Sequence, residues 1–146
     1  MTQDVPPSAT NIPSPSGQAP LVVGLDLGGT KMAAALVDVN GALQGPVSSC
    51  PTPAHDGPDA MLNAISALVQ KVATTGTHQD PGRAVPIIAV GVGTAGVVDV
   101  ESGTILSATD AITGWAGTQV AAGVRERLAA AGLGVLPVHV ENDVDA

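Results

Sequence analysis

Two hydrophobic periods alternate along the chain. LVVGLDL over residues 21–27 is an apolar, β-branched run that ends in Gly28-Gly29, and KMAAALVDVNG is a second run closed by Asn40-Gly41. Asn-Gly between apolar runs signals a hairpin, because both residues tolerate φ > 0. Three consecutive strands, about 21–27, 31–39 and 42–49, are the simplest reading. The period then changes: Met61, Leu62, Ile65, Leu68, Val69 and Val72 recur at three and four, which predicts a helix over 58–73. Asp56-Gly57-Pro58 starts it and Gly76 stops it. Residues 85–92 read as a buried strand. Val97-Val98-Asp99-Val100 and Ile105-Leu106 read as extended pieces around a Glu101-Ser102-Gly103 turn. A second helix fits 118–131, with Val120, Val124 and Leu128 at spacing four and Gly132 ending it. Pro137-Val138-His139-Val140 is the last strand. Asn142 or Asp143 then caps a further helix that has no room before Ala146, so this end reads as cut within an element.

Composition narrows the function classes. The chain has 146 residues, room for one ordinary domain. Residues 1–20 carry five Pro among Ser, Thr, Asn and Gln, which predicts a disordered tail ahead of a folded unit over 21–146. With no Phe, no Tyr and only Trp115, the core must be Val, Ala, Leu and Ile, and stacking platforms for single-stranded nucleic acid are missing. Five Lys plus Arg against thirteen Asp plus Glu give a net charge of −8, the wrong sign for a phosphate-backbone binder, so no nucleic-acid partner is expected. Cys50 is the single cysteine, which suits a reducing compartment. The N-terminus has no basic start and no apolar stretch of a signal peptide, and Pro86 with several polar or Gly positions breaks the longest apolar run. These features predict a cytoplasmic protein with no membrane partner.

Three segments carry candidate chemistry. Asp26-Leu27-Gly28-Gly29-Thr30-Lys31 lies where the first strand turns into the second, and glycines there let backbone amides approach an anion. Asp26, at the strand end, is then suited to Mg²⁺, which takes one or two protein carboxylates and keeps its waters. The plainer alternative is a hairpin turn. No Walker A loop is present, because its spacing is absent and no helix follows. Gly91-Val92-Gly93-Thr94-Ala95-Gly96 matches G-x-G-x-x-G. The β-branched residues that follow predict a strand where a dinucleotide site needs a helix N-terminus, so these glycines, Gly96 in particular, are read as allowing close approach to a small ligand. Glu141-Asn142-Asp143 follows the last strand at its carboxyl end, where a carboxylate can act as a general base; helix capping is the plainer alternative. His139 reads as a core or edge residue. His55 and His78 fall in predicted loops, and the three do not group into a ligand set.

In order and spacing, LVVGLDLGGTKMAAALVDVNG, VGVGTAGVVDVESGTI, a loop ending in Gly-Trp and PVHVENDVDA resemble the N-terminal lobe of the ROK family of sugar kinases and sugar-responsive repressors. The resemblance covers about residues 21–146. It implies a ribonuclease H-like α/β lobe of the actin and hexokinase superfamily, with a mixed sheet and flanking helices. It further implies ATP phosphates, with Mg²⁺ at Asp26, held at Asp26, Gly28, Gly29, Thr30 and Lys31. Sugar hydroxyls would be held at Gly96, Asn142 and Asp143, with Asp143 as catalytic base.

Two departures from the family qualify this. The family's Asn-Leu-Pro-Gly-Trp loop is Ala111-Ile112-Thr113-Gly114-Trp115 here, so its sugar-contacting Asn is replaced and Asp110 is the neighbouring candidate. The chain also stops just past Asp143, before the second lobe, which in the family supplies the adenine pocket, further sugar-binding Glu and His residues, and a structural zinc. The implied activity is ATP-dependent phosphorylation of a hexose, glucokinase-like, by an enzyme that at full length is a homodimer. The isolated chain is then expected to be inactive. The alternatives are a sugar-sensing ROK-type transcriptional regulator without catalysis and a binding-only relic. Such regulators carry an upstream helix-turn-helix, which twenty Pro-rich residues do not make.

Overall fold

The computed structural model describes residues 20–78, 87–108 and 112–142. Strand β1 (Leu21–Leu27) pairs antiparallel with β2 (Lys31–Asp38), and β2 pairs antiparallel with β3 (Ser48–Pro51). Helix α1 (Pro58–His78) leads to β4 (Ile87–Thr94), which lies parallel to β1 on its other side. A small hairpin of β5 (Val97–Asp99) and β6 (Thr104–Ser107) precedes α2 (Val120–Ala130), and β7 (Val138–Asn142) closes the main sheet parallel to β4. The five-stranded order is therefore β3-β2-β1-β4-β7. This is the mixed α/β fold that the resemblance implies. Its parallel pairs need crossover connections, and the segments carrying α1 and α2 supply them.

Alternation along β1 decides which face is covered. Leu21, Val23, Leu25 and Leu27 are buried and, with Val90, Val92, Val138, Val140, Met32 and Leu36, form the face on which the helices pack. Helix α1 contributes Met61, Ile65, Leu68, Val69 and Val72 to that core, and α2 contributes Val120, Val124 and Leu128. The helices also touch one another, where Gly123 lets α2 approach Leu62. Gly24, Asp26, Gly91, Gly93, His139 and Glu141 share the opposite face by register, and among the described residues no helix packs there. No described helix is long and apolar enough to cross a membrane.

Several expected boundaries move. The hairpin after β2 is a three-residue loop: Asp38 accepts the Gly41 amide at 2.9 Å, Gly41 has φ +89°, and the Asp38 carboxylate takes the amides of Asn40 and Ala42. β2 therefore ends at Asp38. The strand expected over 42–49 is reduced to one bridge from Leu43 to Val37, and pairing resumes only at Ser48. Helix α1 does not stop at Gly76 but runs to His78, so His78 is not in a loop; an isolated Gly lowers helix stability without forbidding it. β4 extends to Thr94, two residues past the expected end, because β1 and β7 hold it on both sides. β7 likewise extends to Asn142, which places that residue in a strand and not in a cap.

Helix α2 is shorter than the expected 118–131, and both of its ends are fixed by glycine backbone. At its start the Gly103 carbonyl accepts the Val120 and Ala121 amides at 3.0 and 3.3 Å, while Gln119 contributes no side-chain cap. At its end Gly132 (φ +91°) donates to Ala129, and Leu133 donates to Leu128, a Schellman pair whose Leu133 packs on the core. The stop expected at Gly132 is met. The tail expected over residues 1–20 lies, except for Pro20, outside the described residues.

Candidate functional site

Ligands of open α/β sheets bind outside the carboxyl ends of the parallel strands. Here those ends are Leu27, Thr94 and Asn142, and the candidate segments gather there. Asp26 is exposed one residue before the end of β1, cross-strand from Ala33 on one side and Gly93 on the other. Gly93 has no side chain to cover that carboxylate, which is exposed. That accommodates a hydrated divalent cation.

The turn after β1 is tighter than a free cradle. The Gly28 amide donates to the Lys31 carbonyl at 3.0 Å, and a Cβ on Gly28 would lie 2.7 Å from that oxygen. Gly28 is thus required by the turn itself, and its N–H is taken up within it. The amides of Gly29 and Thr30 remain to meet an anion, beside the exposed side chains of Thr30 and Lys31. Thr52 ties the turn to the end of β3: its hydroxyl donates to the Gly28 carbonyl at 2.8 Å and its amide to the Thr30 carbonyl at 2.9 Å. The sequence gives no sign of Thr52, because a contact across 24 residues has no local signature.

Gly96 and Asn142, two of the proposed sugar-side residues, are brought together: the Asn142 side-chain amide donates to the Gly96 carbonyl. Gly96 has φ +100°, and a Cβ there would lie 2.5 Å from the Ser107 carbonyl, so β6 already explains this glycine. Strand β5 follows it, and no helix, as the β-branched residues predict. Asp143, Asp110 and Ala111 lie outside the described residues.

The Gly-Trp loop is held on several sides. Trp115 donates its indole N–H to the Thr94 hydroxyl at 3.3 Å, Thr113 donates to the Ala54 carbonyl at 2.7 Å, and Gly117 donates to the Ile105 carbonyl at 2.6 Å. His55 Nδ1 lies 3.0 Å from the Thr113 hydroxyl. His139 is exposed on edge strand β7. No group of three or more His, Cys, Asp or Glu among the described residues is arranged to hold a metal ion, so a cation here depends on Asp26 and on ligand oxygens.

The ROK family pattern matches residues 22–146. The chain belongs to the ROK family. Glucokinase of Streptomyces coelicolor is 34% identical over 126 residues, an alignment covering 86% of this chain and 33% of that protein. Among solved structures, a ROK family glucokinase from Streptomyces griseus in complex with glucose and AMPPNP is 32% identical with a TM-score of 0.65, covering 84% of this chain and 33% of its own. A ROK family transcriptional regulator superposes with a TM-score of 0.68 over 86% of this chain and 28% of its own; at 16% identity it shares the fold. The chain spans about a third of the length of the Streptomyces glucokinases it matches.

Proposed function

We propose that this ROK chain is the lobe of an ATP-dependent hexose kinase, of glucokinase type, that binds nucleotide phosphates and sugar hydroxyls. The observation that carries this reading is the convergence of the Asp26–Lys31 turn and the Gly96–Asn142 contact at one end of the sheet, in a chain similar to glucokinases. The Gly29 and Thr30 amides with Lys31 would engage the phosphates, and Asp26 would hold Mg²⁺ or one of its waters. The metal, when bound, offsets the charge of the transferring phosphoryl group.

Asn142 orients a sugar hydroxyl. Asp143 accepts that hydroxyl's proton as its oxygen attacks the terminal phosphorus, and ADP leaves with the bond electrons. Catalysis of this kind is positioning and electrostatics. The cytoplasm is the compartment consistent with ATP as donor, and a homodimer is the proposed full-length state.

The test is Asp143→Asn in the product of the complete reading frame. Glucose phosphorylation should fall by at least a hundredfold, within the range of lost general-base catalysis, with nucleotide affinity within twofold of the parent. Turnover within tenfold of the parent removes Asp143 from the base role. Glucose binding with no phosphoryl transfer in the unsubstituted protein would favour the regulator reading.

A further inference from the structure

Thr94 interrupts an apolar face. Along β4 the core positions are Val90, Val92 and Thr94, exposed by 0%, 3% and 0%, and valine would continue the series with nearly the same shape. The hydroxyl instead accepts the indole N–H of Trp115, itself 1% exposed, and donates to the Ala95 carbonyl at 3.3 Å. A buried indole donor seeks a partner, and Thr94 supplies it.

The register gives this contact a second meaning. Thr94 pairs with Asn142 on β7, so the two side chains are neighbours at the carboxyl edge of the sheet. Asn142 fixes the Gly96 carbonyl while Thr94 fixes Trp115, and the Trp115 carbonyl in turn accepts the Thr118 amide at 3.1 Å. One cross-strand pair therefore holds a point in the turn after β4 and a point in the loop over 112–118, beside the loop's contacts to Ala54 and Ile105.

We infer that Thr94 is a positioning residue for sugar binding: through the Trp115 indole it holds the 112–118 loop in register with Asn142. The inference rests on the sugar reading above. It assigns Thr94 no contact with substrate and no chemical step.

Trp115 is the chain's single tryptophan, so its indole N–H gives one resonance that reports the contact directly. The 146-residue chain is titrated with D-glucose while this resonance and the backbone amides of Gly96 and Gly117 are followed, in the parent, Thr94→Ser and Thr94→Val. Parent and Thr94→Ser should titrate alike, since serine keeps the hydroxyl. Thr94→Val should weaken the apparent glucose affinity about tenfold, the scale of one lost buried hydrogen bond. Trp115→Phe, followed on the two amides, should weaken it to the same extent, and the double variant should add nothing further.

Equal glucose affinity in parent and Thr94→Val overturns the positioning role and leaves the sugar reading intact. A parent chain whose resonances do not respond to glucose overturns the sugar reading for this lobe, and the inference with it. If Thr94→Val does not fold, Trp115→Phe decides: parent-like affinity in that variant overturns the role.

Discussion

Asp26 and Glu141 stand in one cross-strand row on the open face of the sheet, with only Gly93 between them. Both are exposed, so the row presents two carboxylates on either side of a residue that has no side chain of its own. Asp26→Ala removes the carboxylate nearer the phosphate turn. In the product of the complete reading frame we expect at least a tenfold loss of nucleotide affinity in the presence of Mg²⁺, and little change in its absence. An unchanged Mg²⁺ dependence would reduce Asp26-Leu27-Gly28-Gly29 to a plain hairpin.

Residues 1–146 alone should show no glucose-dependent ATP consumption in a coupled assay. Phosphoryl transfer requires both substrates to be clamped in line, and the chain spans about a third of the glucokinase it matches. Measurable turnover would mean that this lobe, beyond binding each substrate, clamps the two in line by itself.

The two tight glycines of the helix layer should respond unequally to alanine. A Cβ on Gly103 would meet the Ala121 Cβ at 2.3 Å with φ at +69°, so Gly103→Ala is expected to cost roughly 2 kcal/mol or more in urea unfolding. A Cβ on Gly123 meets the two Leu62 methyls at 2.6 and 3.2 Å and Arg127 Nη1 at 3.4 Å, all ends of side chains that can shift. Gly123→Ala should cost less, about 1 kcal/mol, part of it offset by helix propensity. Equal costs would contradict this account.

Gly91→Ala should have the opposite sign. A Cβ there meets nothing within 4 Å on the open face, and the substitution removes unfolded-state freedom in a strand. We expect a gain of about 0.5 kcal/mol, read from the urea midpoint at constant slope.

On the helix surface, the 3.7 Å pair of Arg127 with Asp59 involves an Asp side chain that is 94% exposed. Asp59→Ala should therefore change stability by less than about 0.5 kcal/mol. Arg127→Ala also removes the 2.7 Å bond from Nε to Asn63 and the 3.1 Å bond to the Gly123 carbonyl, and should cost about 1 kcal/mol. Thermal unfolding of the two variants checks the order.

Most of the architecture was legible in local pattern. The alternation at Leu21, Val23, Leu25 and Leu27 and the helical spacing from Met61 to Val72 both identify faces that the structure buries. The errors lie where tertiary pairing overrides local preference. Val47 reads as part of a strand, yet it is 60% exposed, because it lies between the Leu43 bridge and the 48–51 pairing and has no partner on β2. Asn142 reads as a cap, yet β4 extends β7 through it. At the candidate site, the Asp-x-Gly-Gly-Thr-Lys turn was evident from its residues. The roles of Thr52, Thr94 and Trp115 were not, because each depends on a partner more than twenty residues away.

The carbonyl of Gly103, which caps α2, also ties the opening of that helix to the β5–β6 hairpin. Release of the hairpin strands two helix amides at once, so fraying of α2 and separation of β5 from β6 should occur as one cooperative event, a single foldon. Native-state amide exchange would then give Val120, Ala121 and the Ile105 amide, which is bonded to the Thr118 carbonyl, a common opening free energy. The sheet strands β1 and β4 would open separately and at higher cost.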